Sequence, residues 1–274
     1  MGHLLACSIS RADLLGDALL EERDTLRVAL PKTADGWGAG FYQAGEALHR
    51  KLPQPIEGSV DWSAVLDGIR SHIALAHVRE ATVGDRRADN TQPFRMRQWL
   101  FAHVGEIAGY AAVREPLLES LPDFLRRSVR GQTDSELLFL VVMSFLHDAG
   151  QLDNVDAPDA AVVGALRSTI ALVDRHCQQV GAAPGSLTMA LTNGRQLYAL
   201  RRGSPLCIVQ RDRLARRGSA PDKPGHTDSD SPLSARYVIV ASCPGERSSM
   251  GYRALAEGEV VAVDRDLNVS SHKL

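Results

Sequence analysis

The sequence predicts an α+β protein built on antiparallel sheets. Strand-like segments fill the first part of the chain, helix-like segments the middle, and strand-like segments return after Gly185. The regular strand–helix–strand alternation that marks a parallel sheet is missing from this order. Turn signals at residues 43–46 and at Asn193-Gly194 join neighbouring strands directly, which is how antiparallel strands are connected.

The N-terminal part is predicted to contain strands and short helices. An apolar run over residues 3–9 predicts a buried strand, and a helical pattern follows over residues 13–23. Residues 60–70 are also predicted to be helical. Four further segments have strand-like patterns: residues 37–42, 47–51, 73–78 and 99–103. The first two of them are predicted to form a hairpin.

Helices are predicted for the middle of the chain. Leucine spacing in its first part indicates helices that are broken at Pro116 and Pro122. Residues 134–147 have a strongly apolar helical pattern, and Asp134 stands where it would cap the helix start. A further long helix is predicted over residues 160–180.

The C-terminal part is predicted to consist of strands and one long loop. The clearest hairpin of the chain joins residues 187–192 to residues 196–201. Residues 211–235 are rich in Arg, Ser, Pro, Gly and Asp, which predicts an exposed loop. Further strands are predicted over residues 207–210, 237–242 and 260–263.

Composition limits the classes of protein and of partner. The chain has 274 residues, is 44% hydrophobic and carries a formal net charge of -2, so no basic excess indicates nucleic-acid binding. No apolar run is long enough to cross a bilayer and no signal peptide is recognisable, which predicts a cytoplasmic protein without membrane contact. The cysteines are dispersed along the chain and are expected to be reduced: Cys7, Cys177, Cys207 and Cys243. The histidines are too scattered to indicate a metal site: His72, His77 and His103.

A series of short motifs carries more information than composition. In order along the chain they are 35-DGWG-38, 40-GFY-42, 76-AHVREATVG-84, 90-NTQPF-94, 101-FAHVGEI-107 and 131-GQTDSE-136, with residues 240–242 and 260–267 near the end. In this order and spacing they resemble the class II glutamine amidotransferases, a branch of the N-terminal nucleophile (Ntn) hydrolases. The stand-alone bacterial members, some of which cleave γ-glutamyl amides, are the most similar.

This resemblance implies a fold and a site. The fold would be a four-layer αββα sandwich in a single domain, residues 1–274, with two facing antiparallel sheets. The fork of Arg79 would hold a substrate α-carboxylate, Asp134 its α-ammonium group, and Thr82 would complete the pocket. The Gly105 N–H would supply half of an oxyanion hole. The implied ligand is glutamine or a γ-glutamyl compound, and no cofactor is implied.

The sequence departs from the family at the positions that perform the chemistry. Family members carry a cysteine at position 2, which becomes both nucleophile and, through its α-amine, base; this chain has Gly2. The family's Asn, the second oxyanion donor, is replaced by Val104, which cannot donate. Cys7 lies an odd number of residues from Gly2 and is expected on the opposite face of the strand. Cys243 occupies another motif position and stays a candidate for a reactive thiol.

Structural roles are alternatives for each of these residues. Arg79 and Glu80 would then form a surface ion pair, and Asp134 would be only a helix cap. His77 and His103 lie in apolar strands, where hydrogen-bonded core histidines are expected rather than catalysts.

These observations lead to three hypotheses. The leading one is an amidotransferase-like protein that keeps its glutamine or γ-glutamyl pocket, has lost its nucleophile, and serves as a binding or regulatory module, either for a γ-glutamyl ligand or beside an active partner subunit. The second is an active amidotransferase or γ-glutamyl amide hydrolase that uses another nucleophile. The third is a structural subunit that binds a partner through residues 211–235.

Overall fold

A computed structural model describes residues 2–26, 34–215, 234–242 and 251–274. One sheet, here called sheet I, contains β1 (His3–Ile9), β2 (Gly36–Gln43), β3 (Glu46–Leu52), β4 (Ile73–Arg79), β9 (Leu206–Ala215), β10 (Ser234–Ser242) and β11 (Arg253–Ala254). Its strand order is β11-β9-β10-β1-β4-β2-β3, and every neighbouring pair is antiparallel. β1 and β4 therefore lie near the middle of this sheet.

The second sheet, sheet II, is also antiparallel throughout. It contains β5 (Phe94–Met96), β6 (Trp99–Gly105), β7 (Leu187–Thr192), β8 (Leu197–Leu200), β12 (Glu259–Val263) and β13 (Val269–Lys273). Their order is β13-β12-β8-β7-β6-β5. The predicted hairpin at Asn193-Gly194 joins β7 to β8.

Helices cover the outer face of each sheet. Their bounds are α1 (Leu15–Glu21), α2 (Arg23–Leu26), α3 (Trp62–Val65), α4 (Tyr110–Glu119), α5 (Asp123–Arg126), α6 (Asp134–Asp148) and α7 (Asp159–Gln179). α1 and α3 pack on sheet I, whereas α4, α6 and α7 pack on sheet II. Among the described helices, none is long and apolar enough to cross a membrane.

Alternation along the strands builds the layers. On β1, Leu4 and Ala6 point into the apolar core between the sheets, whereas Leu5 and Cys7 point toward the α1 layer. On β6, Ala102 faces the inter-sheet core and Phe101 packs under α6. The molecule is therefore the predicted αββα sandwich, with two facing antiparallel sheets between helix layers.

Two helix predictions are wrong in detail. Only Trp62–Val65 of the predicted segment 60–70 is α-helical, because Gly68 at φ +71° turns the chain soon afterwards. Pro116 does not break its helix but lies inside α4. Val113 and Leu117 of this helix are fully buried against the rest of the helix layer. Their burial offsets the free-energy cost of a proline inside a helix. Pro122 does separate two helices, as predicted, and is the N-cap of α5.

The predicted loop over residues 211–235 is shorter at both ends. β9 continues to Ala215 and pairs with β10, which begins at Ser234. The sequence pattern did not predict this part of the strand because Asp212 and Arg213 are exposed and Arg211 is half-buried, whereas Leu214 is buried. Residues 216–233 lie outside the described residues.

The cysteines do not all meet the expectation of a reduced chain. Cys7 and Cys177 are buried free thiols, but Cys207 is disulfide-bonded. Cysteine positions along the sequence do not predict pairing, because a disulfide depends on which strands the fold brings together. Cys243, proposed above as a reactive thiol, lies outside the described residues.

Candidate functional site

Several segments converge at one end of the sandwich. β4 ends there at Arg79 and β6 at Gly105, while α6 begins there at Asp134. β1 begins beside them, since His3 is paired with Val78. A cavity of about 40 Å³ lies among these ends, which is room for about one or two water molecules.

The residues that the sequence assigned to a site all line this cavity: Gly2, Arg79, Thr82, Val104, Gly105 and Asp134. They come from separate parts of the chain, and the antiparallel register of the two sheets brings them to one end. Their proximity is thus observed, whereas the roles assigned to them stay predictions.

Gly2 lies unusually close to β4. A Cβ atom built on Gly2 would lie 2.6 Å from the carbonyl oxygen of Val78 and 3.0 Å from Nε2 of His77. A Cβ contact under 3 Å with a backbone oxygen cannot be accommodated unless the chain shifts. In this arrangement position 2 holds a glycine and has no room for a side chain.

Cys7 cannot replace the missing thiol. Its side chain packs toward the α1 layer, on the face of β1 opposite to the cavity, as its odd spacing from Gly2 predicts. Burial, with a smaller effect of Glu22, raises the pKa of the Cys7 thiol to about 12. A nucleophilic cysteine requires a thiolate, which this environment disfavours.

The Arg79 guanidinium is held by a neighbouring loop. Its Nη2 donates to the carbonyl oxygens of Val83 at 2.9 Å and Gly84 at 2.8 Å, and its Nη1 donates to that of Asp85 at 3.2 Å. Arg79 is 4% exposed, and burial lowers its pKa. Its hydrogen bonds thus go to backbone carbonyls and not to a surface ion pair with Glu80.

Asp134 also has backbone partners. Its Oδ2 accepts a hydrogen bond from the Ile107 N–H and its Oδ1 one from the Ser135 N–H, both at 2.8 Å. The residue that caps α6 is not Asp134 but Thr133, whose side chain accepts from the Glu136 N–H. Asp134 is buried in the first turn, where the positive end of the helix dipole stabilises a carboxylate.

Val104 and Gly105 form the end of β6. Val104 is 3% exposed and packs in the core between the sheets, so its side chain contributes no polar group to the cavity. Gly105 has φ +137°, and a Cβ atom there would lie 1.8 Å from the carbonyl oxygen of Ser186. Only glycine fits this position, because both the backbone angle and the close approach exclude a side chain.

Two buried histidines lie beside the cavity. Nδ1 of His103 is 2.9 Å from Ser135 Oγ and its Nε2 donates to the Ser186 carbonyl at 3.3 Å, so the predicted core role fits this residue. Nδ1 of His77, in contrast, is buried and has no hydrogen-bond partner among the described residues. Burial, reinforced by His103, His3 and Arg79, lowers the pKa of His77 to about 3.

The neutral state of His77 predicts a pH dependence of stability. Between about pH 3 and 6.5 the unfolded chain binds a proton at His77 and the folded chain does not, so the free energy of unfolding falls as the pH is lowered through this range. His77→Gln is expected to make the slope shallower by up to about 1.4 kcal/mol per pH unit. Urea unfolding at pH 5, 6 and 7 measures this slope. His147→Gln, at a half-exposed ring, is the control, and equal slopes for both variants would contradict the prediction.

Some supporting residues lie in the sequence motifs but have no role assigned from the sequence. The side chain of Gln92 accepts from the His103 N–H and donates to the His103 carbonyl, at 2.6 and 3.1 Å, and so fixes β6. Asp35 accepts from the Ala81 N–H and from Arg86, which fixes the loop after β4. Asp35 lies in the motif 35-DGWG-38 and Gln92 in 90-NTQPF-94, and membership in these motifs was the sequence feature that could have indicated their roles. Within the residues described, no group of three or more His, Cys, Asp or Glu side chains is arranged to hold a metal ion.

The fold and the arrangement of these motifs define an Ntn-type glutamine amidotransferase sandwich. The family model for "Glutamine amidotransferases class-II" matches residues 20–265, so the chain belongs to this family. Two solved structures superpose with a TM-score of 0.58 each: a glutamine aminotransferase class-II domain protein from Silicibacter pomeroyi and a "predicted glutamine amidotransferase" from Pseudomonas aeruginosa. They share 20% and 19% identity and cover 99% and 97% of this chain and 98% of each of their own.

Curated relatives match shorter stretches. The γ-glutamyl-hercynylcysteine sulfoxide hydrolase of Mycobacterium tuberculosis is 30% identical over 177 residues, which are 64% of this chain and 66% of the relative. The Escherichia coli protein YafJ is 37% identical over 110 residues, 38% of this chain and 40% of its own. The matched stretch is thus less than two thirds of the length of each of these relatives.

Proposed function

We propose that this protein is a class II amidotransferase-like module that binds glutamine or a γ-glutamyl compound and does not hydrolyse it. In this proposal it acts in the cytoplasm as a binding or regulatory protein, beside an active partner subunit. The carrying observation is the chemistry of the cavity lining, which keeps Arg79, Thr82 and Asp134 but has Gly2 and Val104 at the reactive positions.

Loss of turnover follows from the missing groups. Gly2 offers no thiol, and a Cβ atom at this position would lie 2.6 Å from the Val78 carbonyl oxygen, so the present backbone position also leaves no space for one. The Val104 side chain offers no hydrogen-bond donor, and removal of one oxyanion donor typically lowers the rate by about 10²–10³. The assignment of position 2 to the nucleophile rests on the resemblance, because the family match begins at residue 20.

Ligand recognition would require the neighbouring loop to move. The cavity of about 40 Å³ is smaller than an amino acid, and the Arg79 guanidinium is held by the carbonyls of Val83, Gly84 and Asp85. An α-carboxylate would replace these neutral acceptors with charged, bidentate ones, which bind a guanidinium more strongly. The α-ammonium group would approach the buried carboxylate of Asp134.

Glutamate release tests the proposal. Wild-type protein with a native N-terminus is expected to release no glutamate from glutamine or from a panel of γ-glutamyl amides. Gly2→Cys is expected to restore at most slow release, because Val104 still supplies no donor and the new side chain crowds Val78. Glutamate release by the wild-type protein would contradict the proposal that catalysis is lost.

An active enzyme remains the second candidate, favoured by the name of the mycobacterial relative, which is a hydrolase. It would use another nucleophile or an activated water. A glutamine-mimicking electrophile distinguishes the two, since an enzyme with a covalent mechanism should gain the mass of the electrophile on one peptide. The proposed binding module should gain none.

A further inference from the structure

A second cavity lies at the end of the sandwich opposite to the candidate functional site. Its volume is about 260 Å³, and it lies among the end of β1, the start of β4 and the β7–β8 and β12–β13 turns. β1 begins beside the candidate site and ends at this cavity, and its seven residues span about 20 Å. The two cavities have no lining residue in common, so the second is a separate site.

The lining of this cavity carries more positive than negative charge. Its titratable residues are three arginines, one histidine and one aspartate: Arg195, Arg236, Arg265, His72 and Asp266. Arg195 is neutralised by an ion pair with Asp156 at 2.8 Å. Neither Arg236 nor Arg265 forms an ion pair with any residue that the structure describes. Two guanidinium charges at this cavity are therefore not balanced by a bound carboxylate.

The Arg236 side chain connects the two sheets at this end. Arg236 lies on β10 between Ala235 and Tyr237, which pack in the core under the helices of sheet I, so its own side chain points to the face between the sheets. Its Nη2 donates to the backbone carbonyl of Asp266, in the β12–β13 turn, at 3.4 Å. Its backbone N–H donates to Ser10 Oγ at 2.9 Å. These contacts fix the guanidinium beside the cavity and leave most of its five N–H donors free.

A buried hydroxyl also lines the cavity. Ser8 is 3% exposed and is paired across sheet I with Ile73 and Val238. Val238 packs in the core between the sheets, and the Ser8 side chain lies on the same face of the sheet. Its Oγ atom has no hydrogen-bond partner among the described residues. Because a buried hydroxyl normally has a partner, we expect a bound molecule to accept or donate a hydrogen bond here.

We propose that this cavity binds the phosphate group of a small phosphate monoester. The planar fork of Arg236 pairs with two phosphate oxygens, and the Ser8 hydroxyl donates to a third. The charge of Arg265 in the same lining adds to the attraction for a dianion. The cavity of about 260 Å³ is smaller than the pockets of roughly 300 Å³ or more that hold drug-sized ligands, so the ester is a small one. This site does not depend on the glutamine pocket proposed above.

Isothermal titration calorimetry of the intact protein tests this assignment. The probes are glycerol 3-phosphate, inorganic phosphate and glycerol, in a low-salt buffer without phosphate or sulfate. Glycerol 3-phosphate is expected to bind with a millimolar or lower Kd, inorganic phosphate several-fold more weakly because it fills less of the cavity, and glycerol not at all. Failure of both phosphate compounds to bind, or binding of glycerol, overturns the proposal. Equal affinities for the ester and for inorganic phosphate would overturn the ester part and assign the site to free phosphate.

Matched variants test the two residues that define the site. Arg236→Gln is expected to weaken binding of glycerol 3-phosphate about tenfold or more, because it removes a bidentate, charge-assisted pair. Ser8→Ala removes a single oxygen atom and is expected to weaken binding about threefold or more. Arg127→Gln removes the same charge from a side chain that is 81% exposed and outside the cavity, so it should bind like the wild type. Equal affinities of Arg236→Gln and Arg127→Gln would overturn the proposal, and wild-type affinity of Ser8→Ala would remove the serine from the site.

Discussion

Alanine at position 105 is expected to destabilise the protein by about 3 kcal/mol, measured as the free energy of unfolding in urea. Gly105 combines φ +137° with a carbonyl oxygen, that of Ser186, only 1.8 Å from where the Cβ atom would lie. The backbone of β6 or that of Ser186 must move before the side chain fits. Because Gly105 also lines the candidate site, that movement would distort it.

Two other glycines separate the causes of this effect. Gly150 has φ +68° but no atom within 4 Å of the point where a Cβ atom would lie, so Gly150→Ala is expected to cost about 1 kcal/mol from backbone strain alone. Gly164 lies inside α7 with open space around it, and Gly164→Ala should stabilise the protein by about 0.5–1 kcal/mol. If Gly105→Ala lowered the free energy of unfolding no more than Gly150→Ala, the close approach of Ser186 to position 105 would not contribute to the destabilisation.

The second large effect is expected at Arg79. Arg79→Gln should weaken the binding of glutamate or of a γ-glutamyl ligand by about 100-fold or more in isothermal titration calorimetry. Two hydrogen bonds to a charged carboxylate contribute about 1.5 kcal/mol or more each, and their sum corresponds to this factor. Arg79→Lys keeps the charge but loses the planar fork, so its ligand affinity should lie between that of the wild type and that of Arg79→Gln.

Controls for Arg79 address folding and specificity. The carbonyls of Val83 and Gly84 are half-buried, so water replaces part of the lost hydrogen bonds and the variant should still unfold cooperatively. Arg87→Gln, on an exposed arginine of the following loop, should bind like the wild type. Equal affinity of Arg79→Gln and wild type would remove Arg79 from the pocket. No thermal stabilisation of the wild type by millimolar ligand would contradict binding itself.

Local pattern was sufficient for elements whose own residues determine them. The apolar run of β1 and the Asn193-Gly194 hairpin have side chains and turn residues that favour one structure wherever the segment lies. Local pattern misled where packing decides. α4 keeps Pro116 because its apolar face is buried, and β9 extends through an arginine-rich segment because β10 pairs with it.

The candidate site was predictable as a set of residues but not as a set of contacts. The motifs placed Arg79 and Asp134 together, and both line the same cavity. Their hydrogen bonds to the Val83–Asp85 carbonyls and to the Ile107 N–H were not predictable, since these partners are backbone groups that any residue carries. The cap of α6 likewise belongs to Thr133, because the helix already includes Asp134 as its first residue.

The sequence by itself determined which chemical groups the site has. No fold gives Gly2 a thiol or Val104 a hydrogen-bond donor, because these properties belong to the side chains. The tertiary structure alone decided how the groups are used. It places Gly2 close to the Val78 carbonyl and lets Arg79 donate its hydrogen bonds to loop carbonyls. It also places Ser8 and Arg236 among the residues that line a cavity at the opposite end of the sandwich. These properties depend on distances between segments far apart in the chain, and only packing of the two sheets and their helices sets those distances.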